Sequence, residues 1–318
     1  MNDSKPHVTV VIPNWNGREH LEKCLDSLAA QCYPSFETVL VDNGSQDDSL
    51  EFVATRYPRV RVIALSQNRG FAYAVNRGIE SSRGEFVALL NTDTELDPGW
   101  LEALVRALIE EPELGSVASK MLRFSERTVI DSAGDSLTRG GSPYTRGWGE
   151  ADNGRFSVST YSFGACAAAV LYRRSMLEEI GLFDEDFVSY YEDVDLSYRA
   201  QLAGYKCRYV PAAVCYHKRG ATSNRLKGYS TRLQERNLTL VHGKDFPALL
   251  LIRLLPVMLA SRIRRTVRLV RAGRGLDTVI GILQGVAKLP GALNKRRTVQ
   301  KSRKVSLGYL KSLMGEGG

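Results

Sequence analysis

The run Tyr190-Tyr191-Glu192-Asp193-Val194-Asp195-Leu196 puts three carboxylates within four residues. Adjacent carboxylates disfavour one another's ionisation, which raises one of them toward the range of a useful general base. Carboxylates at the mouth of a helix also favour its macrodipole, so a purely structural role is the plainer alternative. Asn91-Thr92-Asp93 follows the apolar run FVALL, so its carboxylate emerges from the core at a strand end. A hard cation such as Mg2+ or Mn2+ takes oxygen ligands of this kind and keeps waters and phosphates as its other partners. Capping the next helix is the alternative, although Asp97 suits that role better. His217 ends another strand-like run and leads into Lys218-Arg219-Gly220-Ala221-Thr222-Ser223, a basic, hydroxyl-bearing loop suited to phosphate. Asp42 in VDNGSQD and Gly70 in NRGFA stand at tight turns, where capping explains them as readily as ligand binding does.

These groups need a frame that brings strand ends together. Apolar, β-branched runs at 7–13, 36–41, 60–65 and 86–90 read as strands, and amphipathic stretches at 19–30, 49–57, 70–82 and 100–111 read as the helices between them. That alternation predicts an α/β fold with a mostly parallel, doubly wound sheet, whose ligands bind at the strand carboxyl ends. Asn14, Asp42 and Asp93 then share one rim. Residues 123–159, rich in Gly, Ser and Arg, read as long loops or a short antiparallel insertion. Residues 163–172 read as a strand entered through small residues, 174–180 and 192–203 as helices, and 206–210 and 213–217 as two further strands.

Charge divides the chain differently. Of 318 residues with a formal charge of +8, those from Phe246 onward include 15 Lys/Arg against 2 Asp/Glu, so the rest is mildly acidic. The expectation is a globular unit over residues 1–245, with a nucleotide-binding half to about 115 and an acceptor half to 245, and a basic helical tail over 246–318. In the tail Arg262, Arg264, Arg265, Arg268 and Arg271 interleave with Ile263, Val267, Leu269 and Val270, a pattern that suits an anionic membrane surface. Packing on the globular unit with snorkelling Arg stems is the alternative. Five cysteines without a C-x-x-C pair and an N-terminus that reads as a core strand predict reduced thiols and a cytoplasmic, peripheral location. The acidic body and the lack of aromatics beside the tail arginines argue against nucleic acid as a partner. The absence of G-x-G-x-x-G after the first strand, where PNWNG stands, argues against a Rossmann dehydrogenase.

Taken in order, VTVVIPNWNG, VLVDNGSQDDS, NRGFAYAVNRGI, FVALLNTDTELDPGWL, FGACAAAVLYRRS, EIGLFDEDFVSYYEDVDLSYRAQLAGY and VCYHKRGATS resemble the family 2 glycosyltransferases, in particular their bacterial rhamnosyltransferase-like branch, over roughly residues 8–240. The resemblance implies a GT-A fold and an inverting transfer from a nucleoside-diphosphate sugar, with dTDP-rhamnose preferred, to a glycan or lipid-linked acceptor. It implies that Pro13, Asn14, Asn16, Asp42, Asn68, Gly70, Thr92, Lys218, Thr222 and Ser223 bind the nucleotide sugar. It further implies that Asp93 and His217 hold Mg2+ or Mn2+, that Asp193 with Glu192 supplies the base, and that Gly164, Ala165 and Arg236 lie on the acceptor side. Asn91 replaces the first carboxylate of the Asp-x-Asp motif, so it is assigned to ribose rather than metal.

Overall fold

Residues 6–220 and 228–315 are described by a computed structural model. The first half alternates as its apolar pattern requires: β1 (Val8–Asn14), α1 (Arg18–Ala29), β2 (Phe36–Asp42), α2 (Ser49–Arg56), β3 (Arg61–Ala64), α3 (Phe71–Glu80), β4 (Phe86–Leu90), β5 (Thr94–Leu96) and α4 (Trp100–Glu110). FVALL is buried along its whole length, as is most of β1, which requires cover on both sheet faces. Leu21, Leu25, Leu101 and Leu104 supply one cover, and Ala74, Val75 and Ile79 the other. β4, β1, β2 and β3 are neighbours and all parallel, so their carboxyl ends form one rim. The helix at 100 begins after Gly99 with no side-chain cap, so Asp97 does not play the capping part predicted for it.

The second half is mixed. It contains β6 (Leu114–Arg123), β7 (Ile130–Ser132), β8 (Asp135–Thr138), β9 (Pro143–Thr145), β10 (Thr160–Ser162), β11 (Ala169–Arg173), α5 (Arg174–Ile180), α6 (Glu192–Ala203) and β12 (Lys206–His217). β11 runs antiparallel to both β4 and β6, and the sheet reads β10-β12-β6-β11-β4-β1-β2-β3. β6 escaped the sequence pattern because Ser116, Ser119 and Lys120 interrupt its apolar run. Inside, Ser119 accepts from the Trp100 indole at 2.8 Å and donates to the Ala169 carbonyl at 2.8 Å, so its polarity is satisfied. β12 is one strand rather than two, bulged between Val210 and Val214, where Pro211 can sit without breaking a ladder bond. Only the second part of 163–172 is strand.

The remaining chain forms α7 (Tyr229–Lys244), α8 (Ala248–Arg271), α9 (Gly275–Lys301), α10 (Leu307–Ser312) and a final short β13 (Met314–Gly315). This part docks on α6 and the β8–β9 strands. β13 pairs with β8, which pairs with β9, making a separate three-stranded sheet. α9 lies against α7 so closely that a Cβ on Gly281 would come within 2.5 Å of the Arg232 carbonyl oxygen, and one on Gly285 within 2.9 Å of that of Arg236. Phe187, Val194 and Tyr198 share an apolar cluster with Phe246, Leu250, Met258, Val299 and Leu310. Glu235, fully buried, is held by Arg262 at 3.2 Å and by Arg265, while Lys295 reaches Asp184 and Asp186.

Burial of His242 against Phe246, ring centroids 5.0 Å apart, pushes its imidazole down to about 4. An unfolded chain carries it near 6.5. Its contribution to stability is therefore complete above pH 6.5 and is lost as pH falls toward 4, a change of about 3 kcal/mol. Urea midpoints should drop over that window, and His242→Gln should remove that part of the drop.

Candidate active site

A cleft of ≈ 790 Å³ opens at the carboxyl rim of the sheet. On one side it is lined by Pro13 and Asn14 from β1, by Asn43, by Asn68 and Gly70, and by Asn91, Thr92 and Asp93 after β4. On the other stand Glu192 and Asp193 at the start of α6, His217 and Arg219 at the end of β12, and a wall from β8 and β9. Most of the residues implied by the resemblance are thus brought together.

Others are placed differently. Asp42 is buried beneath the floor, where it accepts from the Asn14 amide at 2.8 Å and the Ser45 N–H at 3.0 Å. Asn16 faces a neighbouring shallow depression with Arg18 and Asp47, its amide oxygen accepting from the Gln46 N–H at 2.7 Å. Gly164 and Ala165 lie behind the wall, and a Cβ on Gly164 would strike Ser197 Oγ at 2.1 Å. Arg236 is buried and donates to the Asp186 and Phe187 carbonyls at 3.0 and 2.6 Å. Lys218 contributes its backbone N–H to the Asp93 carbonyl at 2.9 Å, with its side chain exposed. Thr222 and Ser223 lie outside the described residues.

At the centre, His217 presents Nε2 to Asp93 at 3.4 Å while Nδ1 meets Asp131 at 2.9 Å. Burial works to lower the imidazole, but the two carboxylates outweigh it and raise it to about 9. Burial works to raise Asp93, and the hydrogen bond and charge of His217 outweigh that, holding it below the ordinary carboxylate range. A carboxylate behind one ring nitrogen fixes the ring and leaves the other nitrogen pointing forward, the usual support of a metal-binding histidine. Asp131 was not identified from sequence; it lies in the insertion whose path the sequence pattern leaves open.

Asp193 accepts from its own helix at the Val194 N–H (2.8 Å) and from the Ala167 N–H (3.2 Å). Burial nevertheless raises its carboxyl, since the opposing backbone donors are too few to compensate. Glu192 is raised well above the usual range, by burial first and Asp193 second, and its Oε2 has no hydrogen-bond partner. The segment leading into this pair is strained: Val188, Tyr190 and Tyr191 all have φ between 64° and 67°. Such backbone persists only where its surroundings over-determine it. Here the Asn237 amide donates to the Phe187, Ser189 and Tyr190 carbonyls at 3.0, 3.0 and 2.6 Å. Gly70, itself at φ 93°, abuts Val188, whose Cγ1 would lie 2.6 Å from any Cβ there. Gly70, expected at the nucleotide sugar, thus has a structural task as well: it makes room for the loop that carries the acidic pair.

A family model described as "Glycosyl transferase family 2" matches residues 9–181. An N-acetylglucosaminyl-diphospho-decaprenol L-rhamnosyltransferase of Mycobacterium tuberculosis is 32% identical over 248 residues, covering 70% of this chain and 78% of that protein. Among solved structures, a mannosyltransferase from Pyrobaculum calidifontis in complex with GDP-Man and Mn2+ superposes with a TM-score of 0.53 at 19% identity, over 98% of this chain and 79% of that one. S. aureus TarS 1–349 in complex with UDP-GlcNAc gives 0.57 at 20% identity, over 93% and 91%. These structural likenesses establish the GT-A fold. With a family model spanning over half of its length and a relative aligned over more than two thirds, the chain belongs to glycosyl transferase family 2 and is a glycosyltransferase.

Proposed function

We propose that this enzyme transfers rhamnose from dTDP-rhamnose to a hydroxyl of a lipid-linked glycan at the cytoplasmic face of a membrane, inverting the anomeric centre. The observation that carries the reading is one cleft holding both a raised carboxylate, Asp193, and an Asp93–His217 pair backed by Asp131. A relative named as an L-rhamnosyltransferase acting on N-acetylglucosaminyl-diphospho-decaprenol supports the choice of sugar and acceptor class.

Asp193 takes the acceptor hydroxyl proton as that oxygen bonds to the anomeric carbon and the bond to the diphosphate breaks. A carboxyl raised by burial is better matched to this task than an ordinary one. The donor set Asp93 and His217 suits a divalent cation that takes its remaining ligands from water and phosphate oxygens, with Asp131 behind the imidazole rather than beside the cation. Bound there, Mg2+ or Mn2+ would neutralise charge developing on the leaving diphosphate. Arg219, stacked 4.1 Å above Trp148, adds a fixed positive charge beside the same region. The floor asparagines Asn14, Asn43 and Asn68 offer donors and acceptors to the nucleoside. A panel of nucleotide sugars, with and without chelator, tests this. Turnover of UDP-galactofuranose or UDP-glucose but not dTDP-rhamnose would replace the sugar, and full activity in excess chelator would dismiss the cation.

Among the described residues, thirteen of the eighteen exposed large apolar side chains lie on α8 and α9, beside Arg253, Arg264, Arg268 and Lys288, which is the composition an anionic lipid surface attracts. α9 is long and apolar enough to cross a membrane by length and composition, but its packing along α7 favours surface docking. Flotation with phosphatidylglycerol liposomes should recover the intact enzyme. Ile252→Ser with Ile263→Ser, at positions 69% and 63% exposed, should shift it at least tenfold toward the unbound fraction without loss of fold.

A further inference from the structure

Asp135 and Tyr144, on the β8–β9 wall of the cleft, have no part in the chemistry above, and Trp148 just beyond that wall serves there only to carry Arg219. We infer that this side of the cleft is a carbohydrate subsite for the acceptor, in which Asp135 receives hydroxyl hydrogen bonds while a sugar ring lies against Tyr144 and Trp148. This rests on the glycosyl-transfer reading and specifies its acceptor.

Asp135 is 9% exposed, yet it lines the cleft; its N–H donates to the Gly164 carbonyl at 2.9 Å and its carbonyl accepts from the Phe163 N–H at 3.0 Å. Gly164 lies three residues before Ala167, whose N–H holds Asp193, so the two carboxylates face a common space. Burial raises Asp135 to about 7, with the charge of Asp193 as the next cause. Neither carboxyl offers a phosphate the positive charge or N–H donors that bind one. A neutral ligand with several hydroxyls can donate to both. The Thr145 hydroxyl hydrogen-bonds Asp135 from the paired strand, orienting it without filling its capacity as an acceptor. Tyr144 lines the interior, and Trp148, with Arg219 and Arg123 over its ring at 4.1 and 5.0 Å, stays 48% exposed at the mouth, so an apolar sugar face meets the Tyr144 ring and the uncovered part of Trp148 while its rim meets polar groups. A separate observation also points to a ligand: Glu192, 6% exposed and lining the cleft, has an oxygen with no partner, which a bound hydroxyl would satisfy.

The probes are N-acetylglucosamine, titrated by NMR, and octyl N-acetylglucosaminyl diphosphate as acceptor with dTDP-rhamnose as donor. In the full chain, Asp135→Asn and Trp148→Ala should each weaken N-acetylglucosamine binding at least tenfold. Both should also raise KM for the acceptor by a similar factor, with kcat at saturating acceptor changing less than KM. Thermal stabilisation by dTDP reports that the variants remain folded. Unchanged acceptor KM and unchanged sugar binding in both variants would overturn the subsite, as would an intact enzyme that binds dTDP but not N-acetylglucosamine. Failure of the parent reading looks different, with no dTDP stabilisation and no turnover in the wild type.

Discussion

Asp193→Asn is expected to retain nucleotide binding and to lose about 10²–10⁴-fold in transfer, the usual worth of a positioned base. The substitution preserves shape, and the Ala167 and Val194 N–H groups hold the side chain in place. An amide can satisfy only one of those two donors with its oxygen, so a modest loss of about 1–2 kcal/mol in stability should accompany the change. Its neighbour provides the control. Burial and the adjacent carboxylate raise Glu192 well above the ordinary carboxylate range, favouring its neutral form, so Glu192→Gln imitates the favoured form and should cost far less. In the parent enzyme the acid limb of kcat/KM should lie above the ordinary carboxylate range, since Asp193 is raised, and activity should fall as pH drops through it. Equal losses in the two variants would move the base away from Asp193.

A chain stopped at residue 245 is expected not to fold cooperatively. It would leave fully buried Glu235 without Arg262 and Arg265, and an unpaired buried charge costs roughly 3–5 kcal/mol. It would also strip Phe246, Leu250 and Leu310 from the cluster around Phe187 and Tyr198, at about 1.5–3 kcal/mol for each large side chain. Against a total of about 5–15 kcal/mol, these losses are decisive. Calorimetry is the measurement: an unfolding transition within a few degrees of the intact chain would show that the tail is dispensable. For the same reason, membrane association has to be read from surface substitutions on α8, since truncation would confound lipid binding with unfolding.

The parallel half of the sheet was legible because FVALL and VTVVI can be nothing but strands covered on both faces. The rim residues followed from where those strands stop. Asp131 and Asp135 were not legible, since they sit in an insertion whose Gly-, Ser- and Arg-rich sequence fixes no period. Their importance comes from tertiary neighbours, His217 for the first and Asp193 for the second. Asp42 and Arg236 show the converse. Both lie within the span that resembles the family, yet one supports Asn14 from below and the other ties down carbonyls, which position in that span alone does not distinguish from ligand contact. α7, with few apolar residues at helical spacing, was hidden because it is buried through charge pairs as well as side-chain packing.

Translation delivers this chain from its N-terminus, and the strained turn before Glu192 is completed well before the Asn237 amide that holds it or the helices that enclose α7. Until those last segments have emerged and docked, the acidic pair has a sequence but no address. A nascent chain stalled or clipped before Asn237 is expected to carry the whole carboxyl rim of the sheet and still transfer nothing.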